Sequence, residues 1–116
     1  MEIKNKRVVV TGAASGIGRA LCEEFFASEV QSIVCVDMNI EGAEETAKNV
    51  NGIAISADVS VEKDIINVIK KANEFSGGID IFCSNAGIGG KPGLLNAEPS
   101  DWEKIWGVNV MSHIHA

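Results

Sequence analysis

The residues Thr11-Gly12-Ala13-Ala14-Ser15-Gly16-Ile17-Gly18 set three glycines between a β-branched run and a helical pattern. Three physical needs meet in such a loop. A tight turn out of a strand wants Gly12, because glycine accepts a positive φ. A backbone that approaches a pyrophosphate closely wants no side chain, as at Gly16, and a helix packed close on a sheet wants Gly18 small. Free N–H groups at the helix start then bind the anion, which adds Ala14, Ser15 and Ile17 to the expected phosphate-binding set. The bare alternative is a tight strand-to-helix turn with no ligand.

Asp37 bears on that choice. It follows Gly18 by 19 residues and closes a second apolar run. A carboxylate about 20 residues after a glycine loop is placed to accept hydrogen bonds from the ribose hydroxyls of an adenosine. A 2′-phosphate there would meet a like charge. The next residues, Met38 and Asn39, offer no cation to welcome one. The combination predicts a dinucleotide site that takes NAD rather than NADP. Taken alone, Asp37 also reads as a solvated acid at a strand end.

The elements that must position these groups alternate along the chain. Arg7 to Thr11 reads as a buried strand, and Ile17, Leu21 and Phe25 mark a helix face. Ile33 to Val36 is a second strand, and Glu41 to Val50 a second helix. Ile53 and Ile55 alternate in a third strand. Ser60 is placed to cap a helix carrying Val61, Ile65, Val68, Ala72 and Phe75, which Gly77-Gly78 ends. Ile79, Ile81 and Cys83 alternate in a fourth strand. A loop from Gly87 to Gly93 follows, and Pro99 opens a last helix with Trp102, Trp106, Asn109 and His113 on one face. Strands alternating with helices predict an α/β fold, a parallel sheet covered on both faces.

The spacing Thr-Gly-x-x-x-Gly-x-Gly resembles that of the short-chain dehydrogenase/reductase family. Asp58-Val59 after the third strand, Asn85-Ala86-Gly87 after the fourth and Val108-Asn109-Val110 in the last helix agree with it, in the family's order. The resemblance implies a Rossmann-type doubly wound sheet of about four strands in the order 3-2-1-4. It implies that Asp58 and the Val59 backbone contact adenine, that Asn85 flanks the cofactor, and that Ala86 and Gly87 leave space for a ribose. Asn109 resembles the asparagine of the family's catalytic tetrad. Bland readings stand beside these: a helix-start acid for Asp58, a plain turn for Asn85 to Gly87, a buried structural amide for Asn109. Two positions depart from the family pattern, Ser84 for its first asparagine and Ser112 for a frequent glycine. The tetrad's serine and its Tyr-x-x-x-Lys have no counterpart here, and the chain contains no tyrosine.

The resemblance therefore implies an NAD-dependent oxidoreductase. Hydride would pass between nicotinamide and a small alcohol or ketone, with the missing catalytic groups beyond Ala116. Residues 1–116 would be the N-terminal part of a longer dinucleotide-binding domain, inactive alone and soluble only with difficulty, because its fourth strand lies at an open edge. The other reading is a non-catalytic dinucleotide-binding or subunit-interaction module. Family members commonly pair through the last helix and the one after it, so a homo-oligomer is expected of the full-length protein.

Composition sets outer limits. The 116 residues are 46% hydrophobic and 22% charged, with a net charge of −6. That mix fits one globular domain. No basic patch is visible, so neither nucleic acid nor an anionic membrane is an expected partner. Cys22, Cys35 and Cys83 have no metal-ligand spacing and read as buried free thiols in a reducing cytoplasm. Lys4 to Val10 faintly imitates a signal peptide, but Gly12, Gly16 and Gly18 break the apolar run. His113 and His115, two apart, read as structural or solvated rather than as a metal pair. Trp102 and Trp106 read as core or subunit interface, and Lys91 as solvated.

Overall fold

The computed structural model describes residues 1–91 and 93–116. The glycine-rich loop from Gly87 to Gly93 is thus described except at Pro92. Strands β1 (Arg7–Thr11), β2 (Ser32–Asp37), β3 (Ile53–Ser56) and β4 (Ile81–Cys83) form one parallel sheet, ordered β3-β2-β1-β4 as expected. Val10 stands opposite Cys35 on one side and Cys83 on the other.

Alternate side chains of a strand leave by opposite faces, so each central strand feeds two cores. Val8, Val10, Ile33 and Cys35 pack beneath α1 (Gly16–Ala27) and α2 (Ile40–Asn49), with Cys22, Ala43 and Ala47. Val9, Val34, Val36 and Ile55 pack on the other face against Val68 and Ala72 of α3 (Glu62–Ser76). Gly77 ends α3 in the left-handed conformation, at φ 76°, which glycine alone adopts without strain. No helix among the described residues is long and apolar enough to cross a membrane.

Arg7 clasps β1 to the start of β4. Its Nε and one terminal nitrogen donate to the two Asp80 carboxylate oxygens, each at 2.8 Å, and its backbone N–H adds a third bond at 2.9 Å. Hydrogen bonding to Arg7 holds the Asp80 carboxyl well below the usual carboxylate range.

Several local expectations are corrected. Ile17 on α1 is 74% exposed and Phe75 on α3 45% exposed, so each row has one end that does not reach the core. The row on α1 outruns the sheet, leaving Ile17 beyond the strand ends. Ser60 does not cap α3. It donates its N–H and hydroxyl to Asp58 Oδ1, at 2.9 and 2.6 Å. Asp64, in the first turn of α3, accepts the Asp58 N–H at 2.8 Å. Cys22 and Cys35 are buried free thiols, while Cys83 is half-buried. The contact between the Cys22 and Cys35 sulfurs at 3.7 Å, together with burial, pushes the Cys22 thiol up. Lys91 is not merely solvated: its Nζ lies 3.1 Å from Asp101 Oδ2.

The last helix is not continuous. α4 (Pro99–Trp106) opens on Pro99, with Glu98 and Asp101 forming a reciprocal capping box. A π-helical turn follows at Gly107–Met111, then α5 (Ser112–His115). Ser112 donates to the Val108 carbonyl at 2.5 Å inside this turn. A π-turn inserts one extra residue and often marks a functional position. Trp102 and Trp106 are 52% and 60% exposed, which removes the core reading for both within this chain.

Candidate dinucleotide cleft

In an open parallel sheet, ligands bind beyond the carboxyl ends of the strands, where the strand order reverses. Here the reversal falls between β1 and β4. A cleft of about 560 Å³ opens there, lined by the loops that follow all four strands.

The loop after β1 forms one wall. Gly12 turns the chain at φ 73°. A Cβ on Gly18 would lie 1.9 Å from the Gly12 carbonyl oxygen, so helix and strand meet at a distance only glycine permits. Ser15 occupies the N-cap position of α1 but makes no side-chain cap bond. The N–H groups of Gly16, Ile17 and Gly18 open the helix and have no intrahelical partner. Arg19 is the first to donate back, to the Ser15 carbonyl at 3.2 Å.

Asp37 stands at the end of β2 on the cleft wall. Its Oδ2 accepts the Ala14 N–H at 3.0 Å and its Oδ1 the Asn39 N–H at 2.9 Å. The carboxylate is thereby held in one orientation by two backbone donors. Ala14 lies behind the wall, 5% exposed, and its N–H is spent on Asp37. Of the expected phosphate-binding set it alone does not line the cleft.

The loop after β3 forms another part of the wall. Ala57, Asp58, Ser60 and Val61 each commit their N–H within the chain. Among the described residues the Val59 N–H has no such partner, and Val59 lines the cleft. Asp58 Oδ1 is taken up by Ser60, while Oδ2 has no partner among the described residues. One backbone donor and one carboxylate acceptor therefore sit on adjacent residues.

After β4, Asn85, Ala86 and Gly87 line the same cleft. Thr11, buried at the end of β1, ties them down. Its hydroxyl oxygen accepts from the Asn85 and Ala86 N–H groups at 3.0 and 3.1 Å, and it donates to the Cys83 carbonyl at 3.3 Å. Asn85 Nδ2 returns a bond to the Thr11 carbonyl at 3.0 Å. Asn109 lies outside the main cleft. It lines an adjoining cavity of about 480 Å³ with Ser84 and His113, which the two spaces join through Asn85 to Ile88.

Ala57, Ile88 and Lys104, to which the sequence assigns no role, also line the cleft, as do Met38, Ser60 and Val108, to which it assigns none in ligand binding. Their spacing along the chain carries no signal, and only folding collects them. Thr11 stands in the sequence only as the first residue of the glycine motif, and the two histidines read there as structural or solvated. His113 Nδ1 lies 2.6 Å from Ser84 Oγ, and His115 Nδ1 3.3 Å from the Val59 carbonyl. Among the described residues, no group of three His, Cys, Asp or Glu is arranged to hold a metal.

A family model described as short chain dehydrogenase matches residues 6–116. The uncharacterized oxidoreductase YuxG of Bacillus subtilis is 34% identical over 118 residues, covering 94% of this chain and 16% of that protein. The short-chain dehydrogenase anuF of Penicillium roqueforti is 33% identical, covering 96% of this chain and 44% of that protein. Among solved structures, 3-ketoacyl-(acyl-carrier-protein) reductase from Brucella melitensis complexed with NADH is 34% identical with a TM-score of 0.93. That match covers 97% of this chain and 48% of the other. A short chain dehydrogenase/reductase from Burkholderia phymatum in complex with NAD is 29% identical with a TM-score of 0.94, covering 99% and 42%. The chain spans less than half the length of each of these relatives.

Proposed function

The chain belongs to the short chain dehydrogenase family, and from that premise we propose that its cleft binds NAD(H) for an oxidoreductase acting on an alcohol or ketone. One observation carries the reading. The unpaired N–H groups of the α1 start, the fixed Asp37 carboxylate and the Asp58–Val59 donor–acceptor pair all line one cleft.

The residues fit the group. The N–H groups of Ser15, Gly16, Ile17 and Gly18 would hold the pyrophosphate, where the helix dipole favours negative charge. The absence of a side chain at Gly16, whose Cβ position faces open space, leaves that approach free. Asp37 would accept from the adenosine ribose hydroxyls and repel a 2′-phosphate, so NAD is preferred to NADP. Asp58 Oδ2 and the Val59 N–H match the adenine edge, whose amino group donates and whose ring N1 accepts. Asn85, Ala86 and Gly87 would flank the second ribose. Hydride transfer is the chemistry the nicotinamide supplies when bound.

Asn109 is read as a member of the tetrad, standing beside the cavity where the substrate carbon would sit. Its amide is engaged with the Ile88 backbone, so it orders the cavity wall while any proton passes through other groups. No tyrosine is present in these 116 residues. The serine and the Tyr-x-x-x-Lys are accordingly proposed to lie in chain following Ala116, and these residues alone to be inactive. The half-length match to family members supports that assignment.

Titration with NADH and with NADPH, followed by tryptophan fluorescence, tests the reading. Saturable binding with NADH preferred is expected. No saturable NADH signal overturns the cofactor assignment, and preference for NADPH overturns the role given to Asp37.

A further inference from the structure

His115 has no part in the reading above, yet it touches the stretch of cleft wall that keeps a donor to spare. The Val59 carbonyl can only accept, so His115 Nδ1, 3.3 Å away, carries the proton and donates. The peptide joining Val59 to Ser60 is then held at both ends. Its carbonyl is held by His115, and its N–H by Asp58 Oδ1 at 2.9 Å. The peptide before it is anchored through the Asp58 carbonyl, which accepts the Val61 N–H at 3.0 Å. Among the described residues only the Val59 N–H is left; it lies in the Asp58–Val59 peptide, and the held Val59–Ser60 peptide limits how far that plane can turn about Val59.

His115 comes from far along the chain, 56 residues beyond Val59. The π-turn at Gly107–Met111 carries one residue more than an α-turn. That extra residue rotates α5 by about 100° relative to an uninterrupted helix. It thereby sets which side chain of α5 meets Val59.

We propose that His115 is a positioning residue for purine recognition, holding Val59 so that its N–H, beside Asp58 Oδ2, reads adenine rather than a 6-oxopurine. The proposal rests on the dinucleotide reading of the cleft. Adenine presents an acceptor at N1 and a donor at its amino group. Hypoxanthine reverses both, offering N1–H and a carbonyl. A rigid Val59 N–H meets the reversed edge donor to donor, while a loose one turns away from the clash.

The test titrates NADH and reduced nicotinamide hypoxanthine dinucleotide against the unsubstituted chain, His115→Leu and His115→Asn. Asparagine places an amide donor close to where Nδ1 stood. The unsubstituted chain is expected to prefer NADH by about tenfold, near the value of one well-made hydrogen bond. His115→Leu should reduce that preference to about twofold, and His115→Asn should restore most of it. A purely structural role would lower thermal stability and weaken both ligands alike. An unchanged preference in His115→Leu, or a loss that His115→Asn does not restore, overturns the proposal. His115→Ala replaces the leucine variant if that one does not fold. If the unsubstituted chain binds both dinucleotides equally, the cofactor reading stands and the His115 role falls. If it binds neither, both fall.

Discussion

Asn109 grips the Ile88 backbone with both ends of its amide. Oδ1 accepts the Ile88 N–H and Nδ2 donates to the Ile88 carbonyl, each at 2.9 Å. One side chain inside a π-turn thus completes the hydrogen bonding of a residue in an irregular loop, 21 positions upstream. Asparagine in mid-helix is intrinsically unfavourable, and this pairing is its compensation. Asn109→Ala should leave both Ile88 groups without their partner and lower stability by about 1–3 kcal/mol. Urea unfolding would read the loss. Asn109→Asp should also destabilise, because a carboxylate would face the Ile88 carbonyl.

Gly18→Ala is expected to be among the most damaging substitutions in the chain. Its new Cβ would fall 1.9 Å from the Gly12 carbonyl oxygen, a backbone atom at the base of the loop. Relief requires α1 to move off the sheet, at a cost of about 3 kcal/mol or more. Gly89→Ala is the control, since nothing lies within 4 Å of its Cβ position. A Gly18→Ala chain with an unchanged urea midpoint would contradict the close packing described.

Thr11→Val keeps the shape of the side chain and removes its oxygen. The Asn85 and Ala86 N–H groups would then lack the acceptor they use at 3.0 and 3.1 Å. A loss of about 2 kcal/mol is expected for unsatisfied groups at a half-buried site. Since Asn85 and Ala86 also line the cleft, NADH affinity should fall in step, measured by titration at matched fractions folded.

Asp37→Ala should exchange cofactor preference. Removing the carboxylate removes the like-charge penalty on a 2′-phosphate and the acceptor for the ribose hydroxyls. The NADH-to-NADPH affinity ratio is expected to fall by about tenfold or more. The Ala14 and Asn39 N–H groups lose their partner as well, so a small drop in melting temperature should accompany it.

The Arg7–Asp80 clasp gives a pH dependence with a definite sign. Hydrogen bonding to Arg7 depresses the Asp80 carboxyl in the folded state. The unfolded state therefore takes up the proton first as pH falls. The stabilisation is fully present above about pH 4, the ordinary aspartate value, and is lost as acid protonates the folded carboxyl. Urea midpoints between neutral and acidic pH should show a shallower acid slope in Asp80→Asn than in the unsubstituted chain. Identical slopes would show that other carboxylates govern the acid limb.

Much of this was legible without coordinates, for reasons tied to particular residues. The β-branched runs at Val8–Val10 and Ile33–Val36 can be satisfied only by burial on both sides, which requires a parallel sheet with helices on each face. Gly12 and Gly18 announce a positive φ and a close approach, because no other residue does those two things cheaply. Asp37 at a strand end, 19 residues after Gly18, follows from the length of one helix and one strand.

Tertiary structure alone decided the rest. Periodicity sees one element at a time, so it placed Ile17 in a core that the sheet does not reach and ran the last helix straight through Asn109. A composition of apolar and small residues gave no hint that Met38, Ile88 and Val108 would share a wall with Asp58. The hydrogen bonds that orient the cleft span 23 residues from Ala14 to Asp37, 56 from Val59 to His115 and about 74 from Thr11 to Asn85. Local propensity carries no information at such separations. Only the closing of the sheet brings the strand ends together, and with it the unpaired N–H of Val59, whose availability is defined by every neighbour that has already found a partner.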